Sequence, residues 1–337
     1  MRDIRRLYYF VGMSVVAIGA LISGGWALLR YALALPRFVR YLRRARITSI
    51  PKGPTPPLSV VKSVRGDVPG IEENLVRTLK QNYPDFEVIF AHEEDDAPAV
   101  AAIDAARTQV PDVEVRASTD GAQERRDPTV WASASVRPDP LYLRDAANGL
   151  QEGDVVTFPP VLFGLRSLGA RLWGLLCDVD FFLILLRWHA RVPVSETIVG
   201  IGPNDTWAPE AAVLARRAAR CFVPVMGFGQ SLAIVTRWFR RLPYAPSVSA
   251  RVSAVAPLLM LATAIGTPHT AWAVAGLAAH TFFRIAIAVV IDFRFCWDRS
   301  LVRSLPLLPL LWVYEPLAWI WVWFAREESQ DASLVRA

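Results

Sequence analysis

The sequence predicts an α/β domain of Rossmann-like character set between transmembrane helices, and three observations predict it. Apolar residues gather in blocks at the two ends of the chain, arginines cluster at the edges of those blocks, and the middle carries a strand, helix, strand pattern within the 35 residues of Leu58–His92. The composition agrees: 53% of residues are hydrophobic, 20% are charged and the mean hydropathy is +0.29. That is too apolar for an ordinary soluble enzyme. The net charge of +6 and the pI near 9.5 come mainly from arginines beside hydrophobic segments. Anionic lipid headgroups are therefore the expected partner, and nucleic acid is not.

Residues 1–50 hold the first span and a basic juxtamembrane segment. From Leu7 to Leu29 the chain runs 23 residues without a charge. At a rise of roughly 1.5 Å per residue this crosses a hydrocarbon core of about 30 Å. A cleaved signal peptide is the rival reading, but the run is too long for its apolar region and Trp26-Ala27-Leu28-Leu29 offers no small-residue cleavage site. Arg30, Arg37, Arg40, Arg43, Arg44, Arg46 and Lys52 follow the span, against Arg2, Arg5 and Arg6 before it. The richer side belongs in the cytoplasm, so the domain that follows is expected to be cytoplasmic.

Residues 51–245 form that domain. Pro51–Pro57 reads as a linker. Leu58–Lys62 is a short β-branched strand, Ile71–Gln81 has apolar residues at helical spacing, and Phe86–His92 is a second strand, together a βαβ unit with a parallel sheet. Ala97–Gln109 extends this as a helix, Val113–Arg116 as a strand, and Asp154–Phe158 as a later strand. Ligands of such folds sit at the carboxyl ends of the strands, where Glu93-Glu94-Asp95-Asp96 lies. Those carboxylates can accept hydrogen bonds from a ribose or base, or simply form a solvated loop. Leu168–Trp188 is apolar but broken by charges, as an interfacial or core helix would be. Trp207–Cys221 reads as a basic helix, and Arg237-Trp238-Phe239-Arg240-Arg241 groups cations with aromatics that suit either a phosphate or headgroups.

Residues 246–337 are apolar again. Three further spans fit, at about 252–268, 271–291 and 305–325. The turn Gly266-Thr267-Pro268-His269 has no arginine, whereas Arg294, Arg299 and Arg303 follow the next span, which keeps the orientation already inferred. Trp312, Trp319, Trp321 and Trp323 suit interfacial positions. Glu315 inside an apolar run is either a functional group facing protein or water, or a carboxylate near a kink at Pro316 exposed to headgroups. Cys177, Cys221 and Cys296 show no paired spacing, and His92, His189, His269 and His280 no metal-ligand spacing, so neither a disulfide framework nor a zinc site follows from them.

These residues, in this order, resemble the membrane glycosyltransferases of family 2 type with a GT-A fold, specifically the ceramide glucosyltransferase group and its bacterial hopanoid-associated relatives. Val60-Val61-Lys62-Ser63-Val64-Arg65-Gly66 resembles the family's Lys-Pro-Leu-Lys-Gly, followed by Asn74-Leu75 and by Tyr83-Pro84-Asp85-Phe86-Glu87-Val88. Glu93-Glu94-Asp95-Asp96-Ala97-Pro98 is similar to the first acidic motif, Val136–Arg144 to the segment after the metal-binding motif, and Arg237-Trp238 to the end of (Q/R)xxRW. The resemblance implies transfer of a hexose from a UDP-sugar to a lipid acceptor, ceramide- or hopanoid-like, by a multi-pass protein of the bacterial inner membrane. It implies that Lys62, Glu94, Asp95 and Asp96 bind the nucleotide, that Arg237 and Trp238 stand on the acceptor or phosphate side, and that Mg²⁺ or Mn²⁺ assists.

The departures fall on the chemistry. Where the family has a DxD motif that holds a divalent cation on the diphosphate, Ser133-Ala134-Ser135 stands. Ser133 and Ser135 thus occupy the carboxylate positions. The family's general base falls near Pro209-Glu210-Ala211, with alanine at the base position and Glu210 beside it as the candidate. The chain is also shortened between about 116 and 133, where relatives carry a helix and a strand. Two expectations follow: a membrane glycosyltransferase that uses a cation if active, or an inactive homologue that binds nucleotide or lipid or partners an active enzyme and needs no cofactor.

Overall fold

The computed structural model describes residues 2–44, 53–68, 70–119, 126–152, 155–158, 160–176, 198–201, 213–214, 219–223, 225–241, 248–266, 270–296 and 298–324. By contacts the chain divides into two units. One gathers Met1–Phe38, Leu165–Leu183 and Val225–Arg326; the other gathers Val39–Gly164, Ile184–Pro224 and Glu327–Ala337.

The second unit holds the α/β fold. Its strands are β1 (Leu58–Ser63), β2 (Phe86–Ala91), β3 (Glu114–Ser118), β4 (Thr129–Ala132), β5 (Val136–Arg137), β6 (Val155–Thr157), β7 (Pro160–Phe163), β8 (Ile198–Ile201), β9 (Val213–Leu214) and β10 (Ala219–Phe222). A seven-stranded sheet runs β3-β2-β1-β4-β8-β6-β9 and a smaller one runs β5-β10-β7. β1, β2, β3 and β4 are mutually parallel, with Val60 opposite both Val88 and Val130, while β8 lies antiparallel between β4 and β6. The central strands are buried on both faces, which is why Val60, Val61, Val88, Ile89 and Phe90 read as continuous apolar runs rather than alternating ones.

Helices α2 (Ile71–Leu79) and α3 (Ala97–Gln109) pack beside one another after β1 and β2. α2 buries Ile71, Leu75, Thr78 and Leu79, at the three- and four-residue spacing of one helical face. A later helix, α4 (Tyr142–Glu152), buries Tyr142, Leu143, Ala146 and Ala147 in the same way. The predicted strand, helix, strand, helix, strand order is present, with α2 ending at Leu79 rather than Gln81 and β3 shifted to Glu114–Ser118.

One expectation is corrected. The described parts of Trp207–Cys221 are strand, not helix: Val213–Leu214 pairs with β6, and Ala219–Phe222 pairs with β7 and β5. Ladder hydrogen bonds to neighbouring strands override the helical propensity of an alanine- and arginine-rich stretch, because tertiary context outweighs local preference.

The first unit is helical. α1 runs from Arg2 to Arg44, so the expected span continues through Pro36 and the basic segment as one helix. Its buried positions Ala17, Ala20, Gly24, Ala27, Tyr31, Ala34 and Phe38 alternate by three and four residues, and most are small. Small residues on such a seam let another helix approach closely. A β-carbon at Gly24 would meet the Met260 side chain. On the other side Val15, Ile18, Leu21, Ile22, Leu29 and Leu33 are exposed.

The unit continues with α5 (Leu168–Leu176), α6 (Phe228–Arg241), α7 (Val248–Gly266), α8 (Thr270–Ile291) and α9 (Leu308–Phe324). Helices thus occupy the three places where C-terminal spans were expected. Among the described residues, two helical stretches are long and apolar enough to cross a membrane, Met13–Arg43 and Thr270–Phe295. The expected helix over Leu168–Trp188 is described as far as Leu176. Glu315 on α9 is 6% exposed and accepts from Arg284 on α8 at 2.6 Å, while Arg284 also donates to the Tyr31 hydroxyl at 3.2 Å. The structure therefore gives Glu315 a buried cationic partner, not an open headgroup position.

Candidate functional site

After β1 the chain steps to β2 and β3 on one side of the sheet, and β4 takes the place on β1's other side. The strand order therefore reverses between β1 and β4, and the crevice beyond the carboxyl ends at such a reversal is where α/β sheets bind ligands. Because β1, β2 and β4 are parallel, their carboxyl ends share one edge. That edge brings together Lys62 and Ser63 from β1, the His92–Asp96 loop after β2, and the Ser133–Val136 turn after β4.

Lys62 is fully buried, since both faces of β1 are covered. Its Nζ donates to the carbonyl oxygens of Ser133 at 3.0 Å and Val136 at 2.9 Å, directly beneath the turn. Burial lowers its pKa from the usual lysine range to about 7. Above it the Ser133 and Ser135 hydroxyls are half-buried and hydrogen-bonded to one another at 3.1 Å. The Ser135 backbone carbonyl accepts from the Phe222 amide at 2.9 Å, which ties the turn to the small sheet.

Asn74 of α2 clamps the same turn. It is fully buried, donates to the Ala134 carbonyl at 3.3 Å and accepts from Arg137 Nε at 2.9 Å. Arg137 also pairs with Glu73 at 3.0 Å and stacks over Phe163 at 5.0 Å. The sequence names Asn74 only within a motif. An asparagine on the buried face of an amphipathic helix, where an apolar residue is expected, was the signal that it holds something.

In the acidic loop, Asp96 differs from its neighbours. Its two oxygens accept from the backbone amides of Gly66 at 2.8 Å and Ala99 at 3.0 Å, so it caps α3 and pins the turn after β1. Those two bonds, the Gly66 amide first, hold its pKa below the ordinary aspartate value. Glycine at 66 is required by the close approach. A β-carbon there would stand 2.4 Å from Pro98 Cβ and 2.5 Å from Asp96 Oδ1. Glu93, Glu94 and Asp95 are exposed on the same loop. His92 Nδ1 lies 2.8 Å from the Glu93 carbonyl, which as an acceptor fixes the proton on that nitrogen.

Lys62, Asp96, Ser133 and Ser135 thus meet at one strand edge, with Glu94 and Asp95 in the loop beside them. Arg237 and Trp238 lie on α6, in the helical unit, and their side chains are outside the described residues. Glu210 also lies outside the described residues.

The Ser133–Val136 turn itself offers a divalent cation no carboxylate; the exposed Glu93, Glu94 and Asp95 lie on the neighbouring loop. Hard cations take anionic and carbonyl oxygens. Here the two hydroxyls are neutral, and the Ser133 and Val136 carbonyls already face an ammonium. Among the described residues no group of three or more His, Cys, Asp or Glu is arranged to hold a metal.

Residues 21–131 match the model of Glycosyl transferase family 21, a match that spans β1 to β3 and ends within β4, two residues short of Ser133. No curated protein matches the chain in sequence. Among solved structures, it is similar to the mannosyltransferase PcManGT from Pyrobaculum calidifontis in complex with GDP-Man and Mn²⁺, with a TM-score of 0.50 and 15% identity, over 94% of this chain and 99% of that one. It is also similar to TarS 1–349 of S. aureus in complex with UDP-GlcNAc, with a TM-score of 0.36 and 11% identity, over 79% of this chain and 92% of that one. At this identity the PcManGT likeness shows the fold alone, a parallel α/β sheet resembling GT-A glycosyltransferases, and the TarS likeness carries no further weight.

Proposed function

We propose that this chain is a membrane-bound glycosyltransferase that moves a hexose from a UDP-sugar to the hydroxyl of a ceramide- or hopanoid-like lipid, with its α/β unit on the cytoplasmic side of a bacterial inner membrane. The observation that carries the reading is the convergence of Lys62, the acidic loop and the Ser133–Val136 turn at the reversal between β1 and β4. A nucleoside diphosphate laid across this crevice meets carboxylates suited to ribose hydroxyls and a base N–H on one side, and hydroxyl donors over a buried lysine on the other. The match to family 21 over residues 21–131 supports sugar transfer.

The bilayer part of the reading rests on Met13–Arg43 and Thr270–Phe295, and on the apolar side chains that α1 exposes opposite its small-residue seam. Arg237 and Trp238 then serve the acceptor side, and Glu210 removes the proton of the attacking hydroxyl.

A second reading is an inactive homologue that binds nucleotide or lipid, and the observation favouring it is the hydroxyl pair at 133 and 135 where relatives place carboxylates. Turnover decides between the two. Membranes carrying the active enzyme release UDP from a UDP-hexose in the presence of lipid acceptor, and Glu210→Gln abolishes the release. UDP binding without release assigns the inactive role. A chain that hydrolyses or transfers from a GDP-sugar and ignores UDP-sugars overturns the choice of donor.

A further inference from the structure

The charge arrangement beneath the Ser133–Val136 turn says more about how the diphosphate is held. We infer that this site binds the nucleoside diphosphate without a divalent cation, the Ser133 and Ser135 hydroxyls bonding phosphate oxygens while the buried Lys62 ammonium supplies the positive charge under them. The inference rests on the nucleotide reading of the site.

Three observations carry it. The Lys62 side chain is fixed by two carbonyls of this one turn, at 3.0 and 2.9 Å, so in its protonated form it places a positive charge where a cation bound to the turn's oxygens would come. A dication placed on those same carbonyls would be repelled by it. Both hydroxyls sit on the turn, 3.1 Å from each other, and each is a donor that phosphate oxygens can accept from. A pair of aspartates over the same ammonium would neutralise it, whereas a pair of serines leaves its charge for an anionic ligand.

Among the described residues, two other cations near the turn have partners of their own. Arg65, after β1, pairs with Asp67 at 3.1 Å, and Arg137 is held by Asn74, Glu73 and the Phe163 ring. The Asn74 clamp on Ala134 keeps the turn closed over Lys62 from the other side.

The test is calorimetric titration of UDP into the full chain in detergent micelles at pH ~6, where the Lys62 amine is protonated, once in EDTA and once in saturating Mn²⁺. The inference expects affinities within about threefold of each other, because a metal that bridges enzyme and diphosphate contributes far more than RT. Lys62→Met should weaken UDP binding in EDTA by roughly tenfold or more, as loss of a charged partner does. The double variant Ser133→Ala with Ser135→Ala, its folding checked by circular dichroism, should weaken it by a similar factor and leave binding of uridine unchanged.

Binding that appears only with Mn²⁺ overturns the inference while leaving the nucleotide reading in place, as does a Lys62→Met protein that binds UDP like the parent. If Lys62→Met does not fold, the parent titrations and the serine variant still decide. Absence of UDP binding in either buffer overturns the nucleotide reading itself.

Discussion

Lys62 makes stability depend on pH in a direction opposite to that of a surface lysine. In the unfolded chain its pKa is the ordinary 10.5, and in the fold burial lowers it to about 7. Between those values the unfolded state binds more protons, so stability rises with pH, by as much as about 1.4 kcal/mol per unit while the difference approaches one proton. Below the folded pKa the deficit is fully present; as pH climbs toward the unfolded pKa it is relieved. From pH ~7 to ~9 the single group adds ~2 kcal/mol, which for a unit of this size raises Tm by roughly 4–8 °C. Tyr83, which burial pushes up to about 12, stays silent in this window. Thermal denaturation of the parent and Lys62→Met in detergent across that range is the assay. The variant keeps the volume, loses the titration and should show a profile flatter by that amount. Parallel profiles would refute the claim that the ammonium is desolvated beneath the turn.

Three further outcomes are expected. Gly66→Ala forces a β-carbon into Pro98 and Asp96 and should cost about 1–3 kcal/mol, with faster amide exchange at the first turn of α3 read by mass spectrometry. Asn74→Ala strips one donor from the Ala134 carbonyl and one acceptor from Arg137 and should lower stability by ~2–4 kcal/mol in denaturant titration, weakening UDP binding with it. Glu315→Gln removes the negative partner of a buried guanidinium and should destabilise by about 3–5 kcal/mol; replacing Arg284 and Glu315 together by leucine should restore most of the loss, and failure to do so would mean the pair has a role beyond its own neutralisation.

The half of the fold that was legible is the half where periodicity and burial agree. β1 and β2 are covered on both faces, so their apolar runs are continuous, and α2 and α3 show their buried stripes. β5, β9 and β10 were not legible. β5 and β9 have two residues each and β10 four, and their pairings are made to strands distant in sequence, which no local pattern encodes. β7 opens on Pro160, which as a first strand residue need not donate to the ladder, and a proline there reads as a break. The acidic loop was legible as a group, but not its division of labour. Asp96 precedes Ala97-Pro98 at the start of a helix, and that position marks a cap, while Glu94 and Asp95 remain exposed.

The stretch leading into β4 was expected to lack a helix and a strand, and the sheet is continuous across it. β4 still pairs directly with β1, Ser59 opposite Thr129. What secures the entry to β4 is Arg126, whose backbone amide donates to Ser59 Oγ at 2.6 Å and whose guanidinium reaches Asp85 at 2.7 Å and Glu114 at 3.0 Å. These contacts gather around Glu87, a fully buried carboxylate on β2 that accepts from Ser59 at 2.5 Å and faces Arg116 at 3.1 Å as an ion pair rather than an aligned hydrogen bond. All of them lie at the amino ends of the strands, opposite the edge that carries Lys62 and the serines. At the amino end of β4 a charged network closes the sheet, and at the carboxyl end an ammonium stands under two hydroxyls. Because the ends are joined by one four-residue strand, a loosened Arg126 anchor should be felt at the Ser133 turn. Glu87→Ala, which unpairs that network, is therefore expected to weaken UDP binding as well as stability. Full UDP affinity in a destabilised Glu87→Ala protein would show that the carboxyl edge is held by Asn74 and the small sheet alone.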